Sequence, residues 1–173
     1  MNIREELLRE HSKAQAQRIA DYIGNDQGRF DELLNLFLYD EYRVIQRSAW
    51  IVGICGKQYP HLFEPHLEKV INNLKNPVHD AVKRNTLRVL QDMDIPEELM
   101  GEAADLCFQY LNSNKEPVAI KVFAMTVLCN IVKKVPELKE ELQIIIEDQM
   151  PYGSAGFISR GKKVLRALEK IDS

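Results

Sequence analysis

The sequence predicts an all-α protein of about four stacked helix pairs behind an N-terminal helical cap. Three observations predict it. Every long segment carries apolar residues at the helical period, and none sustains the alternation of a strand. The segments are divided by short breaks in which proline, glycine, asparagine and aspartate concentrate. The second segment of each pair repeats: Ala49, Thr86, Ala124 and Gly161 are spaced by 37, 38 and 37 residues. A period of about 37–40 residues with two helices per unit is the signature of an α-solenoid.

Helices are expected near 2–24, with a break near Ser12, and then at 28–39, 42–57, 61–75, 79–93, 97–112, 117–134, 137–149 and 155–171. The breaks are Gly24 to Asp26, Asp40-Glu41, Tyr59-Pro60, Asn76-Pro77, Ile95-Pro96, Asn114 to Pro117, Val135-Pro136 and Pro151 to Ser154. Proline sits just inside a helix start because its fixed φ suits the first turn and its missing N–H would be unpaired there anyway. Ser154 is placed to cap the last helix. The second helices align on a small or short residue with apolar neighbours four before and four after. Ile45, Ala49 and Gly53 match Val82, Thr86 and Leu90, then Ile120, Ala124 and Leu128, then Phe157, Gly161 and Leu165. Small residues recur there because stacked helices approach to about 8–10 Å only where a crossing side chain is small. First helices repeat as well: Pro60, Pro96 and Pro136 are followed closely by Leu62, Leu99 and Leu138. No linker interrupts the pattern, so one domain over 1–173 is expected, with a cap at 1–24 and repeats near 28–57, 60–93, 96–134 and 137–171.

Composition bounds the rest. The 173 residues are 45% hydrophobic and 28% charged, which excludes a disordered chain, a collagen and a disulfide miniprotein. No apolar run reaches the roughly 18 residues of a membrane span, and the charged start MNIREELLRE is unlike a signal peptide, so no membrane association is expected. Cys55, Cys107 and Cys129 are scattered through apolar stretches, as expected of reduced, buried thiols in a cytoplasmic protein. His61 and His66 diverge on a helix, and His11 and His79 lack ligand-spaced partners, so all four read as surface or capping residues and no metal site is expected.

The proline- and leucine-rich first helix, the Asp/Asn turn and the second helix with basic residues beside a small one resemble the HEAT-repeat family. They stand here as PHLFEPHLEKVINNLKNPVHDAVKRNTLRVL and PEELMGEAADLCFQYLNSNKEPVAIKVFAMTVL. The resemblance covers about 28–171 and implies a right-handed α-α superhelix whose second helices line the concave side. It also implies a ladder in which a turn Asp meets an Arg of the second helix. Asp40 with Arg47 fits that pattern, Asn76 with Arg84 and Asn114 with Lys121 fit loosely, and the last repeat departs with Gly153 at the turn.

The net charge of −3 hides a segregation. The second helices and residues 13–24 hold 16 of the 23 basic residues but four of the 26 acidic ones, a balance of +12 against −15 elsewhere. By the resemblance, the concave face is then basic and the outer face acidic. With Ile45, Val82, Ile120 and Phe157 set to the core at 100° per residue, the opposite face carries Arg43, Arg47, Trp50 and Ile54 in the first repeat. It carries Arg84, Leu87, Arg88 and Gln91 in the second, Val122, Met125, Thr126 and Cys129 in the third, and Ser159, Lys162, Lys163 and Arg166 in the fourth. The candidate binding residues are Arg43, Arg47, Trp50, Arg84, Arg88, Lys162, Lys163 and Arg166, two basic ends around a more apolar middle. Trp and Arg together are common binding anchors. The alternative is that these arginines form only the inter-repeat ladder, and that the apolar middle is core.

No paired-carboxylate, Ser-His-Asp or Cys-His arrangement and no glycine-rich phosphate loop is present, so no catalytic residue and no cofactor is expected. The expected function is a non-catalytic scaffold that binds an acidic partner protein or peptide in its basic groove. Nucleic acid is the second candidate for the same groove, disfavoured by a pI near 5.9. The enzymatic alternative is the HEAT-like alkylpurine DNA glycosylases, whose architecture is similar. They need several groove aromatics and a catalytic Asp, whereas here Trp50 is alone and no acid lies on that face.

Overall fold

The computed structural model describes residues 1–172. They are helical, with no strand among them. Two compact units form, Met1–Val89 and the residues from Leu90 onward.

In the first unit, Asn2 opens α1 (Ile3–Arg9) by accepting the Glu5 N–H at 3.1 Å, and Ser12 opens α2 (Lys13–Ile23) by accepting the Gln15 N–H at 3.1 Å. The expected break near Ser12 is therefore a capped helix start. Gly24, at φ +49°, ends α2 in a backbone region that glycine enters without a Cβ penalty. Asp26 then caps α3 (Gln27–Tyr39) through the Arg29 N–H. The 17-residue α4 (Tyr42–Gln58) packs against α1, α2 and α3. Phe30, Phe37 and Phe63 are fully buried, and the rings of Phe30 and Phe63 lie 5.9 Å apart. Each such ring contributes roughly 1.5–3 kcal/mol by leaving water.

The helix expected over 61–75 is broken instead into α5 (Pro60–Phe63), a 3-10 turn at Glu64–His66 and α6 (Leu67–Asn73). Pro65 is the cause. It has no N–H for the helical ladder, and its ring crowds the carbonyl four residues back. The last helix of this unit, α7 (Asp80–Leu90), reaches the boundary between the units. It lies close against α4. A Cβ placed on Gly53 would stand 2.5 Å from the Asn85 side chain, and one on Gly56 would stand 2.7 and 2.9 Å from the Val89 methyls.

In the second unit, α8 (Glu97–Asn112) and α9 (Val118–Val132) begin directly after Pro96 and Pro117. A 3-10 turn at Pro136–Leu138 leads into α10 (Lys139–Gln149), and another at Met150–Tyr152 precedes α11 (Ala155–Glu169). Ser154 caps α11, accepting the Phe157 N–H at 3.3 Å. Helix α9 packs against α8, α10 and α11, which is why its sequence is apolar on nearly every side. Gln149 ties these helices together, donating to the Leu111 carbonyl at 2.8 Å and accepting from Lys121 Nζ at 2.6 Å. The expected Asn114–Lys121 rung is thus replaced by Lys121 with Gln149.

The four residues aligned as helix crossings, Ala49, Thr86, Ala124 and Gly161, are all buried. Thr86 Oγ1 is buried without a hydrogen-bond partner.

Candidate interaction site

The close approach of α7 to α4 builds the site of the first unit. Because Gly53 and Gly56 present no side chain, the α7 residues one turn earlier come over the α4 surface next to Trp50. Trp50, Arg84 and Arg88 line a depression of about 360 Å³, together with His11, Gln46, His79, Ala81 and Asn85. Trp50 and Arg88 are half-buried, and Arg84 is exposed. The His11 ring stands edge-on to the Trp50 ring at 6.2 Å and 76°. His79 Nδ1 accepts the Ala81 N–H at 2.9 Å, so this histidine caps the start of α7. That leaves Nε2 as the nitrogen able to donate. Asn85 is buried and anchored by donation from Nδ2 to the Ala81 carbonyl at 2.8 Å.

The electrostatics follow from what the lining lacks. It contains no carboxylate. Among the described residues, Arg84 and Arg88 have no hydrogen-bond or ion-pair partner. Among the described residues most other arginines of this unit are engaged, Arg43 being the exception. Arg4 forks onto Asp40 at 3.0 and 3.1 Å, Arg9 and Arg18 each reach Glu6 at 3.0 Å, and Arg29 donates to the Tyr22 carbonyl at 2.7 Å. The Arg4 guanidinium holds the Asp40 carboxyl below its usual range, helped by the Glu41 N–H.

Two sequence expectations are corrected here. The Asp40–Arg47 rung is not formed, because Asp40 is taken by Arg4. Arg47 instead donates Nη1 to the Leu7 and Leu8 carbonyls at 2.8 and 3.1 Å, satisfying acceptors that the last turn of α1 leaves without helical partners. Leu87, placed on the open face by the wheel, is fully buried. A wheel with one core-facing direction fails for a helix that is covered on two sides. Arg43 is exposed on α4 but lies outside the lining of the depression.

In the second unit Lys162, Lys163 and Arg166 are all exposed, and they line one shallow depression with Ala155, Ile158 and Ser159. All six residues come from α11. The apolar middle read from the sequence is largely interior, with Met125 and Cys129 buried and Val122 and Thr126 half-buried. A residue outside the candidate set works there: Arg160 Nη1 donates to Thr126 Oγ1 at 2.5 Å and to Gln91 Oε1 at 3.3 Å. Sequence reasoning also missed that His11 and His79 would join Trp50. The available signal was their place at helix starts, beside Ser12 before α2 and Asp80 in α7.

Elsewhere the chemistry is quiet. Burial pushes the Cys55 and Cys107 thiols up to about 12 and raises Cys129 as well, so all three remain protonated and unreactive near neutral pH. Among the described residues no three His, Cys, Asp or Glu side chains gather to hold a metal ion, and no helix is long and apolar enough to cross a membrane.

A family profile described as the HEAT repeat domain matches residues 3–168, nearly the whole chain. The chain belongs to the HEAT-repeat family. Comparison with curated proteins and with solved structures finds no match. HEAT-repeat domains are interaction scaffolds as a kind and are generally not enzymes. The basic depression is therefore the feature of this HEAT-repeat chain with a chemistry to assign.

Proposed function

We propose that this HEAT-repeat protein is a non-catalytic cytoplasmic scaffold that binds an acidic partner protein or peptide. One observation carries the reading. Arg84 and Arg88 stand unpaired beside the sole tryptophan, in a depression without a carboxylate, on a chain that has more acidic than basic residues. Like charges four apart on a helix destabilise it by about 0.2–0.5 kcal/mol, and an anion between them reverses the sign. Trp50 adds a rigid apolar surface for the partner's side chains. Lys162, Lys163 and Arg166 add flexible, solvated charge that attracts an acidic partner through solvent. The buried thiols suit a reducing compartment.

Calorimetric titration tests this with a glutamate-rich peptide and a single-stranded oligonucleotide, each at low and moderate salt. Peptide binding that is lost in the Arg84→Glu/Arg88→Glu double variant, with stability held within about 0.5 kcal/mol, supports the reading. Binding of the oligonucleotide in preference to the peptide overturns it in favour of nucleic acid. A double variant that unfolds early yet binds normally when folded returns the two arginines to a structural role.

A further inference from the structure

The lining of the depression says more than that its ligand is acidic. Resting on the reading of an acidic peptide partner, we infer that the pocket between α4 and α7 recognises a phosphorylated side chain within that partner. The first reason is charge. Two arginines line one depression, and a single carboxylate neutralises only one of them, whereas a phosphomonoester carries about −1.5 to −2 at neutral pH. The second is the donor inventory. Arg84 and Arg88 each present a fork of N–H groups, and His79, which lines the same space with its Nδ1 occupied by the Ala81 N–H, has Nε2 left to donate. A carboxylate has two oxygens to meet these donors, and a phosphoryl group has three. The third is shape. Guanidiniums on successive turns of α7 and the Trp50 ring on α4 face the space from two helices, so the phosphoryl end can rest on α7 while the stem of its side chain lies along the indole. The fourth is that no described residue pairs with either guanidinium. On α4, Arg47 is held by the Leu7 and Leu8 carbonyls, while Arg84 and Arg88 are free to turn toward a ligand.

Trp50 is the only tryptophan of the chain, so its emission reports on this pocket alone. The test uses the full chain and two seven-residue acidic peptides identical but for a central serine or phosphoserine. The phosphorylated peptide should change Trp50 emission and bind at least about tenfold more tightly, the worth of one to two charge-assisted hydrogen bonds. Arg88→Gln and, separately, the more exposed Arg84→Gln should each erase most of that preference. Lys57→Gln, which removes a charge from the last turn of α4, should keep it.

Equal binding of the two peptides, with Trp50 responding to both, overturns the phosphoryl inference and leaves the acidic-partner reading standing. Failure of both peptides to bind overturns both. Free phenyl phosphate binding as tightly as the phosphopeptide overturns the partner segment as the source of the group. If Arg88→Gln fails to fold by circular dichroism, Arg84→Gln decides alone.

Discussion

The two units carry basic clusters of similar size built in different ways. In the first, Arg84 and Arg88 from α7 meet Trp50 from α4, with His11 and His79 at the edge. In the second, Lys162, Lys163 and Arg166 all come from α11 and stand on an open shelf. On a helical wheel the two are equivalent. In three dimensions they differ because a recess needs two helices close together, and Gly53 and Gly56 bring α7 onto α4. Charge on a single helix face stays in high dielectric, where ions screen it. Charge beside an aromatic ring and a second helix is partly removed from water, and each contact there is stronger. The units agree in another respect. Each commits one arginine to internal wiring, Arg47 to the end of α1 and Arg160 to Thr126 and Gln91.

The internal arginines give the largest expected effect. Arg47→Met keeps the aliphatic stem and removes the donor to two carbonyls, and should lower stability by about 1.5–3 kcal/mol, the usual loss for a hydrogen bond to a charged group. Arg160→Met should lower it by about 1 kcal/mol or less. Thr126 Oγ1 keeps its donation to the Val122 carbonyl, and Gln91 is half-exposed. Urea unfolding followed by circular dichroism measures both. Equal losses would show that the two arginines do the same work and would remove this distinction between the units.

Much of this was legible in the sequence, and what was not has identifiable causes. Proline, Asp26 and Ser154 mark helix starts through chemistry confined to a few neighbouring residues, so the breaks could be placed. The aligned small residues are buried because a helix crossing is a periodic demand of the fold. Pro65 shows the limit: it follows Pro60 closely, and apolar periodicity continues through it. The pairing of Asp40 could not be read because Arg4 competes with Arg47 for it, and Arg4 lies 36 positions away in sequence. Arg84 and Arg88 were candidates from a local pattern, but their convergence with His11 and His79 depends on how α7 seats on α4.

That seating supplies the second prediction. A methyl at Gly56 meets Val89, whose β-branched side chain has one strongly preferred rotamer in a helix. A methyl at Gly161 meets the Met150 sulfur at 2.7 Å and an Ile146 methyl at 3.2 Å. The first neighbour is stiff, whereas a thioether moves aside readily. Gly56→Ala should therefore lower stability by about 1–2 kcal/mol, overpacking outweighing the better helix propensity of alanine. Gly161→Ala should stay within about 0.5 kcal/mol of the parent, since the two terms nearly cancel. The comparison sharpens further in binding. By displacing α7, Gly56→Ala should also weaken acidic-peptide binding, which Gly161→Ala should leave unchanged. The same binding loss in both would detach the depression from the α4–α7 contact.

The smallest effect is expected at the α11 shelf. Lys162, Lys163 and Arg166 are exposed and have no aromatic or second-helix wall beside them. Their attraction for an acidic peptide acts through solvent and falls off over the Debye length, about 30 Å at 0.01 M salt and about 8 Å at 0.15 M. The triple variant Lys162→Gln/Lys163→Gln/Arg166→Gln should weaken peptide binding about threefold at low salt, mostly through a slower association rate, and leave it unaltered at 0.15 M. Its stability should stay within about 0.5 kcal/mol of the parent, as for other surface positions. Stopped-flow association at the two salt concentrations separates this from a docking site. A triple variant that loses binding at 0.15 M, or that raises the dissociation rate, would show that the shelf holds the partner directly, and the difference between the units would then be one of degree.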